Sequence, residues 1–342
     1  MFKLRQGRSP IFGTFFLWCC SENLFEKAQI LEPFWFLFLG RELGQVSTFW
    51  WWLDYLAAQV GPGKRILWLN ADETSLSRVG AKKAVGHIVS KRWWPTRLGP
   101  KRPCQKDQRR ASVTHIACMC SETSVQPHLP QVFLGAKRSM PAAATLVEHP
   151  QIQIWRRDTA WNTTSTMLQW LDLLASRLLP FTEFQPILLL DMAPCHLSPV
   201  IAEKASSLGF FLAYVPARLT SLVQPADVAM FAGYKVNLVK LLLQNESLAG
   251  EVSLEAWIEC LGKVCRQYLC GKKWKKAFER TGIIPGGILT PELAQIAAPR
   301  LCVSPLPCPD FDSVASLFPK GRRVPYTSLF WVPAQMDPPL LE

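Results

Sequence analysis

The sequence predicts an α/β fold in which a mixed sheet is flanked by helices and followed by a helical C-terminal extension. Two long apolar runs, residues 66–72 and 187–191, each lead into an aspartate and have the continuity of buried strands. Further short strands and helical segments alternate around them, which is the order of a layered α/β fold. With 342 residues and 49% hydrophobic content, the chain can bury a large core.

The other elements are predicted from local signals. The breaker Gly61-Pro62-Gly63 precedes the first Asp-containing strand. Segments 111–120, 131–134 and 210–215 are predicted to be strands. Helices are predicted where apolar residues recur at helical spacing or where a capping serine precedes proline, which applies to residues 163–179, 198–208, 227–244 and 253–269.

Composition divides the chain into four segments. Residues 1–60 form an irregular, aromatic-rich N-terminal segment that is expected to hold one or two packing helices or none, without a clear helix-turn-helix. Residues 61–246 form the predicted α/β domain, and residues 247–286 form a helical extension. Residues 287–342 form a Pro-rich tail that is expected to be loosely structured.

Charge and cysteine content favour an intracellular protein with a polyanionic partner. A net charge of +12 favours a polyanionic partner, most simply nucleic acid, although a merely basic protein is the alternative. The 11 cysteines show no CxxC pair and are interpreted as reduced core thiols of an intracellular protein. No apolar run is long enough for a membrane span, and the faintly signal-like residues 1–20 are discounted. The expected location is the nucleus.

A basic run from residue 78 to 110 follows the first Asp-containing strand. Its lysines and arginines could neutralise phosphates, and its tryptophans could stack on unpaired bases. The alternative is a solvent-exposed loop anchored by the tryptophans, with no role in binding. The candidate nucleic-acid-binding residues are Lys91, Arg92, Trp93, Trp94, Arg97, Lys101, Arg102, Arg109 and Arg110.

Three aspartates are the candidates for chemistry. Asp72 and Asp191 end the two apolar runs, and Asp227 follows Asp191 by 36 positions. Polar residues at strand ends gather at one edge of an open α/β sheet. Three carboxylates repel one another unless cations lie between them, which is the arrangement of a metal-dependent phosphoryl-transfer site.

The motifs around these aspartates resemble those of DDE superfamily endonucleases, specifically the pogo, Tigger and jerky-like transposases of the mariner superfamily. Residues 70–74, 191–196 and 220–231 resemble that family's first, second and third acid motifs, with Lys235 following the third. Residues 274–285 resemble the segment that closes its catalytic region. The resemblance covers about residues 64–286.

The resemblance implies a ribonuclease H-like fold and a metal-dependent DNA endonuclease and strand transferase. Asp72, Asp191 and Asp227 would then be the catalytic residues and would hold two Mg²⁺ or Mn²⁺ ions, with DNA as partner and a homodimer on paired DNA ends. Glu73, on the alternate face of its strand, is expected to pair with a basic side chain. His196 either orients a carboxylate, touches a phosphate or is an ordinary loop histidine.

Three departures from the family pattern keep other interpretations open. The first departure is Ala226, which stands where the family commonly has a larger apolar residue. Gln224, in the same motif, is expected to shape the approach to Asp227. Met192 stands where the family often has Asn, so a hydrogen bond near the metal ligands would be lost. The expected N-terminal recognition domain is missing. A catalytically impaired or domesticated nucleic-acid-binding protein is therefore the alternative, and a nuclease acting on RNA is a third.

Overall fold

The computed structural model describes residues 44–77, 112–137, 140, 151–245, 252–296 and 314–318. A six-stranded mixed sheet in the order β4-β3-β2-β1-β5-β6 lies at the centre of this part of the chain. The strands are β1 (Arg65–Ser77), β2 (Ser112–Cys120), β3 (Gln131–Ala136), β4 (Ile152–Arg157), β5 (Phe184–Asp191) and β6 (Phe211–Val215).

Helices flank the sheet and follow it. In the described residues they are α1 (44–58), α2 (Thr164–Leu178), α3 (Pro199–Ser207), α4 (Thr220–Val223), α5 (Phe231–Gln244), α6 (Leu254–Val264), α7 (Lys275–Arg280) and α8 (Pro291–Ile296). Two π-helical segments, Ala226–Met230 and Cys265–Cys270, precede α5 and follow α6. None of the helices in this part of the chain combines the length and apolarity that crossing a bilayer requires.

The strand pairing is that of a ribonuclease H-like fold. β1 is antiparallel to β2 and β2 to β3, whereas β5 and β6 run parallel to β1 on its other side. β4 adds an edge strand parallel to β3. The predicted class, a mixed sheet flanked by helices, is confirmed. The two Asp-containing strands are neighbours at the centre of the sheet.

The sheet differs from the sequence expectation in two places. β1 does not end at Asp72 but continues to Ser77, because residues 73–77 pair with β2 in antiparallel register. The edge strand β4 was not predicted. Its side chains are mostly half-buried, because only one neighbouring strand covers it, and its apolar signal is correspondingly short.

The helices bury the faces that their sequences predict. In α2, Met167, Trp170, Leu171 and Leu174 are buried at the spacing of one helical face. Thr163 caps this helix by accepting a hydrogen bond from the backbone N–H of Thr166 at 3.3 Å. The apolar stripe therefore fixes how α2 covers the sheet.

Residues 44–58 are helical and packed, which agrees with the expectation that the aromatic-rich segment 1–60 could form packing helices. Phe49, Trp52, Leu53 and Leu56 of α1 are buried in the core. The indole N–H of Trp50 donates to the carbonyl oxygen of Thr281 at 3.3 Å, far away along the chain. α1 is thus packed against the segment that follows α7. Residues 1–43 lie outside the described residues.

We predict that Gly282→Ala destabilises the protein by about 2–4 kcal/mol in urea unfolding. Gly282 has a φ of +69°, and an added Cβ would lie 2.3 Å from the Trp50 ring. Gly61→Ala is the matched control, because its Cβ would meet no atom within 4 Å. Equal stability of the two variants would contradict the packing of α1 against this turn.

Candidate functional site

Asp72 and Asp191 lie on neighbouring parallel strands. The register of β1 and β5 pairs Asn70 with Leu189. Asp72 and Asp191 each follow this pair by two residues, and the charge of Asp191 is among the causes that raise the pKa of Asp72. Asp72 is 8% exposed, and the Asp191 side chain is 29% exposed. The structure therefore brings the first two predicted acids together.

Asp227 reaches the same place from a helical turn. It lies in the π-helical segment Ala226–Met230, and its charge raises the pKa of Asp72. The Thr220 hydroxyl donates a hydrogen bond to Asp227. Unlike Asp72, Asp227 is exposed to solvent. The third acid is thus the most solvent-accessible of the three.

Asn70 joins the three elements that carry these acids. Its side chain is fully buried on β1, two residues before Asp72. The amide Nδ2 donates to the carbonyl oxygen of Leu189 on β5 at 3.2 Å. Its Oδ1 accepts from the backbone N–H of Ala226 at 2.9 Å, beside Asp227. One carboxamide therefore fixes the third acid relative to the first two.

Asn70 lies within the first acid motif, but no role was predicted for it from the sequence. The available signal was its place in an otherwise apolar strand, since a polar residue inside such a strand must find partners there. Which partners it finds depends on the fold. Leu189 and Ala226 are 119 and 156 residues away along the chain.

His196 connects Glu73 to Asp191. Its Nδ1 lies 2.6 Å from Oδ1 of Asp191, and its Nε2 lies 3.0 Å from Oε1 of Glu73. The ring is 1% exposed. Asn162 donates a further hydrogen bond to the same Glu73 oxygen. Glu73 therefore contacts a basic side chain, and that side chain in turn holds one oxygen of Asp191.

The acids strongly perturb one another's proton affinity. Burial raises the pKa of Asp72 to about 8, and the charges of Asp227, Glu73 and Asp191 add to the effect. The hydrogen bond from the Glu73 N–H to Asp72, 2.7 Å long, acts in the opposite direction. A pKa of about 8 means that, without a cation, Asp72 keeps its proton at lower pH and adds no charge to the neighbouring acids.

The other titratable groups divide according to their partners. Burial would raise the pKa of Asp191, but the hydrogen bond and charge of His196 lower it below its usual value. Burial alone would lower the pKa of His196, yet Glu73 and Asp191 hold it well above the usual range. Burial also raises the pKa of Asp227, while the Thr220 hydroxyl and Lys235 act against this rise.

The ligand atoms closest to one another belong to a different trio. Among the described His, Cys, Asp and Glu residues, those of Glu73, Cys195 and His196 all lie within 4.8 Å of one another. The three aspartates do not form such a group within this part of the chain. Wider spacing is expected of like charges in a buried site.

The remaining predicted residues have less to do with the acids. Gln224 is buried, and its Oε1 has no hydrogen-bond partner among the described residues. Met192 is half-buried and packs against the core. The nine nucleic-acid-binding candidates between Lys91 and Arg110 lie outside the described residues.

Comparison with known proteins gives a family match for part of the chain. Residues 111–265, just under half of the sequence, match the family described as DDE superfamily endonuclease. This span contains Asp191 and Asp227, whereas Asp72 precedes it. The match is to the superfamily, so the pogo, Tigger and jerky-like branch stays a prediction. No curated protein matches the chain.

Solved structures of a transposase show a distant similarity to this chain. The Mos1 transposase paired-end complex with the left transposon end has 15% identity and a TM-score of 0.35, with 71% of this chain and 62% of that one covered. The Mos1 strand transfer complex has 14% identity and the same score and coverage. The chain thus spans about three fifths of the length of these transposase chains.

We predict that Asn70→Ala lowers the free energy of unfolding by about 1–3 kcal/mol, because the buried Ala226 N–H and Leu189 carbonyl lose a partner. Urea unfolding measures this loss. Asn237→Ala is the control, since its amide bonds only within α5, to Gly233. Similar losses in the two variants would show that Asn70 does not join distant elements.

We predict that Asp72→Asn stabilises the metal-free protein, increasingly as pH rises from about 4 to about 8. The pKa of Asp72 is 3.8 in its ordinary state and about 8 in the fold. Within this window the folded state keeps a proton that the unfolded chain releases, so stability falls as pH rises. Asn escapes this loss, and we expect a difference of about 1–3 kcal/mol at pH 8.

Urea unfolding of metal-free protein between pH 5 and pH 8 checks this prediction. Asp172→Asn is the matched control, because Asp172 is 55% exposed and pairs with Lys204. A stability difference between Asp72→Asn and wild type that stays constant over this pH range would contradict it.

Proposed function

We propose that this protein is a metal-dependent DNA endonuclease and strand transferase in which Asp72, Asp191 and Asp227 hold two Mg²⁺ or Mn²⁺ ions. The observation that carries the proposal is the hydrogen bonding of Asn70, which joins the strand of Asp72 to the strand of Asp191 and to the turn of Asp227. In agreement with such a cluster, burial and three neighbouring acidic groups raise the pKa of Asp72 to about 8. Such a cluster is unfavourable by itself and becomes favourable with bound cations.

The donor set suits hard divalent cations. Mg²⁺ and Mn²⁺ prefer carboxylate oxygens and keep several waters, so three carboxylates leave positions free for phosphate oxygens. A bound pair would supply an activated water or 3′-hydroxyl and would stabilise the leaving oxygen of an in-line displacement. The residues of this chain contribute by position. Asp72 and Asp191 lie on the neighbouring parallel strands β1 and β5, and Asn70 accepts a hydrogen bond from the Ala226 N–H beside Asp227.

His196 and Glu73 have a supporting role in this proposal. By holding one oxygen of Asp191 at 2.6 Å, His196 leaves the other oxygen free to bind a cation. The family's frequent Asn after the second aspartate is absent here, because Met192 has no amide. The hydrogen bond from His196 orients Asp191 without it.

DNA is the proposed substrate, and its phosphates match the positive charge of the chain. The described exposed lysines include Lys272, Lys273, Lys275 and Lys276, and α7, which begins within this group, packs against the turn that carries Asp227. We extend the proposal to the basic residues 78–110, to a homodimer on paired DNA ends, to a catalytic domain at residues 61–246, and to the nucleus as the site of action.

A second candidate is a DNA-binding protein that has lost cleavage. Met192, half-buried against the core, is the observation that favours it, because this side chain cannot hydrogen-bond a metal ligand. Both candidates predict DNA binding that weakens steeply with salt. Only the first predicts cleavage.

We predict that the full chain nicks supercoiled plasmid DNA with Mn²⁺ or Mg²⁺ and not with EDTA. Asp191→Asn should lower the nicking rate at least about 100-fold, because one ligand charge is lost. Asp172→Asn, an exposed aspartate on α2, should nick like wild type. The rate of open-circle formation on agarose gels measures each variant.

Two results would count against the proposal. Nicking that survives Asp191→Asn would place the chemistry elsewhere. DNA binding without nicking under any divalent ion would establish the second candidate.

A further inference from the structure

A compact group of mixed ligands lies beside the aspartates. It consists of Glu73 on β1 and of Cys195 and His196 in the loop after β5, whose ligand atoms all lie within 4.8 Å of one another. His196 is buried, and Glu73 and Cys195 are half-buried. The proposed two-cation site uses none of these three side chains as a ligand.

We propose that Glu73, Cys195 and His196 bind one Zn²⁺ ion, separate from the cations held by the aspartates. Carboxylate oxygen, thiolate sulfur and imidazole nitrogen are the three donor types found at zinc sites. A thiolate selects against Mg²⁺ and Mn²⁺, which prefer oxygen. The two negative charges of Glu73 and Cys195 balance the ion, and a water completes a tetrahedron.

The orientation of His196 is that of a metal ligand. Its Nδ1 lies 2.6 Å from the Asp191 carboxylate, and its Nε2 is directed at Glu73. Histidines that bind metals usually donate their second ring N–H to a carboxylate, which fixes the tautomer and the ring plane. Here that carboxylate is Asp191.

The spacing of His196 and Glu73 is close to that of two zinc ligands, and Cys195 lies within 4.8 Å of both. Nε2 of His196 and Oε1 of Glu73 are 3.0 Å apart. Tetrahedral bonds of about 2.0–2.1 Å put two ligand atoms about 3.3 Å from each other. In the metal-free chain a hydrogen bond occupies this gap. Zinc binding replaces the Nε2 proton and the Cys195 thiol proton, and both leave to solvent.

The surrounding hydrogen bonds hold the ligands in place before any ion binds. The Tyr214 hydroxyl donates to the carbonyl oxygen of His196 at 3.2 Å, and the His196 N–H donates to the Ala193 carbonyl at 3.0 Å. Asn162, in the loop before α2, also donates to Glu73. A preorganised set costs less to assemble around an ion. Zinc at this point would lock His196 and, through it, the orientation of Asp191.

The test is a titration of the reduced, metal-free full chain with Zn²⁺ against a chromophoric chelator, repeated with Co²⁺. We expect the wild type to bind one equivalent more than Cys195→Ser and to show a thiolate-to-cobalt charge-transfer band that Cys195→Ser lacks. Glu73→Gln should weaken binding at least about 10-fold. Cys260→Ser, a described free thiol on α6, should behave like wild type.

Asp227→Asn separates this site from the aspartate cluster. We expect it to keep both the zinc equivalent and the cobalt band, so that the zinc result does not depend on whether the protein cleaves DNA. Zinc binding that is equal in wild type and Cys195→Ser would overturn the proposal. So would zinc binding that is lost in Asp227→Asn and retained in Cys195→Ser, since the ion would then lie among the aspartates.

Discussion

The arrangement of the site depends on the two hydrogen bonds of one buried carboxamide. Asn70 donates to Leu189 on β5 and accepts from Ala226 beside Asp227, while it shares β1 with Asp72. Three like charges would otherwise favour separation. Each buried hydrogen bond of this kind contributes about 1 kcal/mol to stability, and a buried donor or acceptor left without a partner costs more than that. The acid-bearing elements are therefore held together by hydrogen bonds between uncharged groups, namely the Asn70 side chain and the backbone of Leu189 and Ala226.

Charge is balanced unequally around the acids. Asp191 has His196 as a partner, and its pKa is lowered, whereas Asp72 is buried among other acids, and its pKa is raised to about 8. The metal-free fold thus contains one stabilised carboxylate and one that is destabilised when ionised. An unfavourable buried charge of this kind is typical of functional sites, where a bound ligand supplies the missing opposite charge.

Local sequence patterns predicted the elements that periodicity controls. The helix at residues 163–179 and the strands around Asp72 and Asp191 follow from apolar spacing. The structure has their ends within one or two residues of the prediction, except that β1 continues past Asp72 and β5 begins at Phe184, three residues before the predicted start. β4 gave too short a signal, because an edge strand is covered on one side only. The π-helical start of the segment that carries Asp227 has no sequence signature that we recognised.

The contacts within the site were harder to foresee than the elements. The motifs singled out Glu73 and His196, and a basic partner was expected for Glu73. That one ring joins Glu73 to Asp191 depends on the register of β1 and β5 and on the loop after β5, which residue types alone do not specify. The role of Asn70 also depends on the fold, because its hydrogen-bond partners are more than 100 residues away along the chain.

The central claim, that three distant aspartates form one cation site, is tested most directly by a crystal structure of the protein with Mn²⁺. Anomalous difference maps locate the ions independently of the refined side chains. The account predicts two peaks about 4 Å apart, within bonding distance of Asp72, Asp191 and Asp227. Ordered Mn²⁺ elsewhere on the protein, with no peak between these carboxylates, would contradict it.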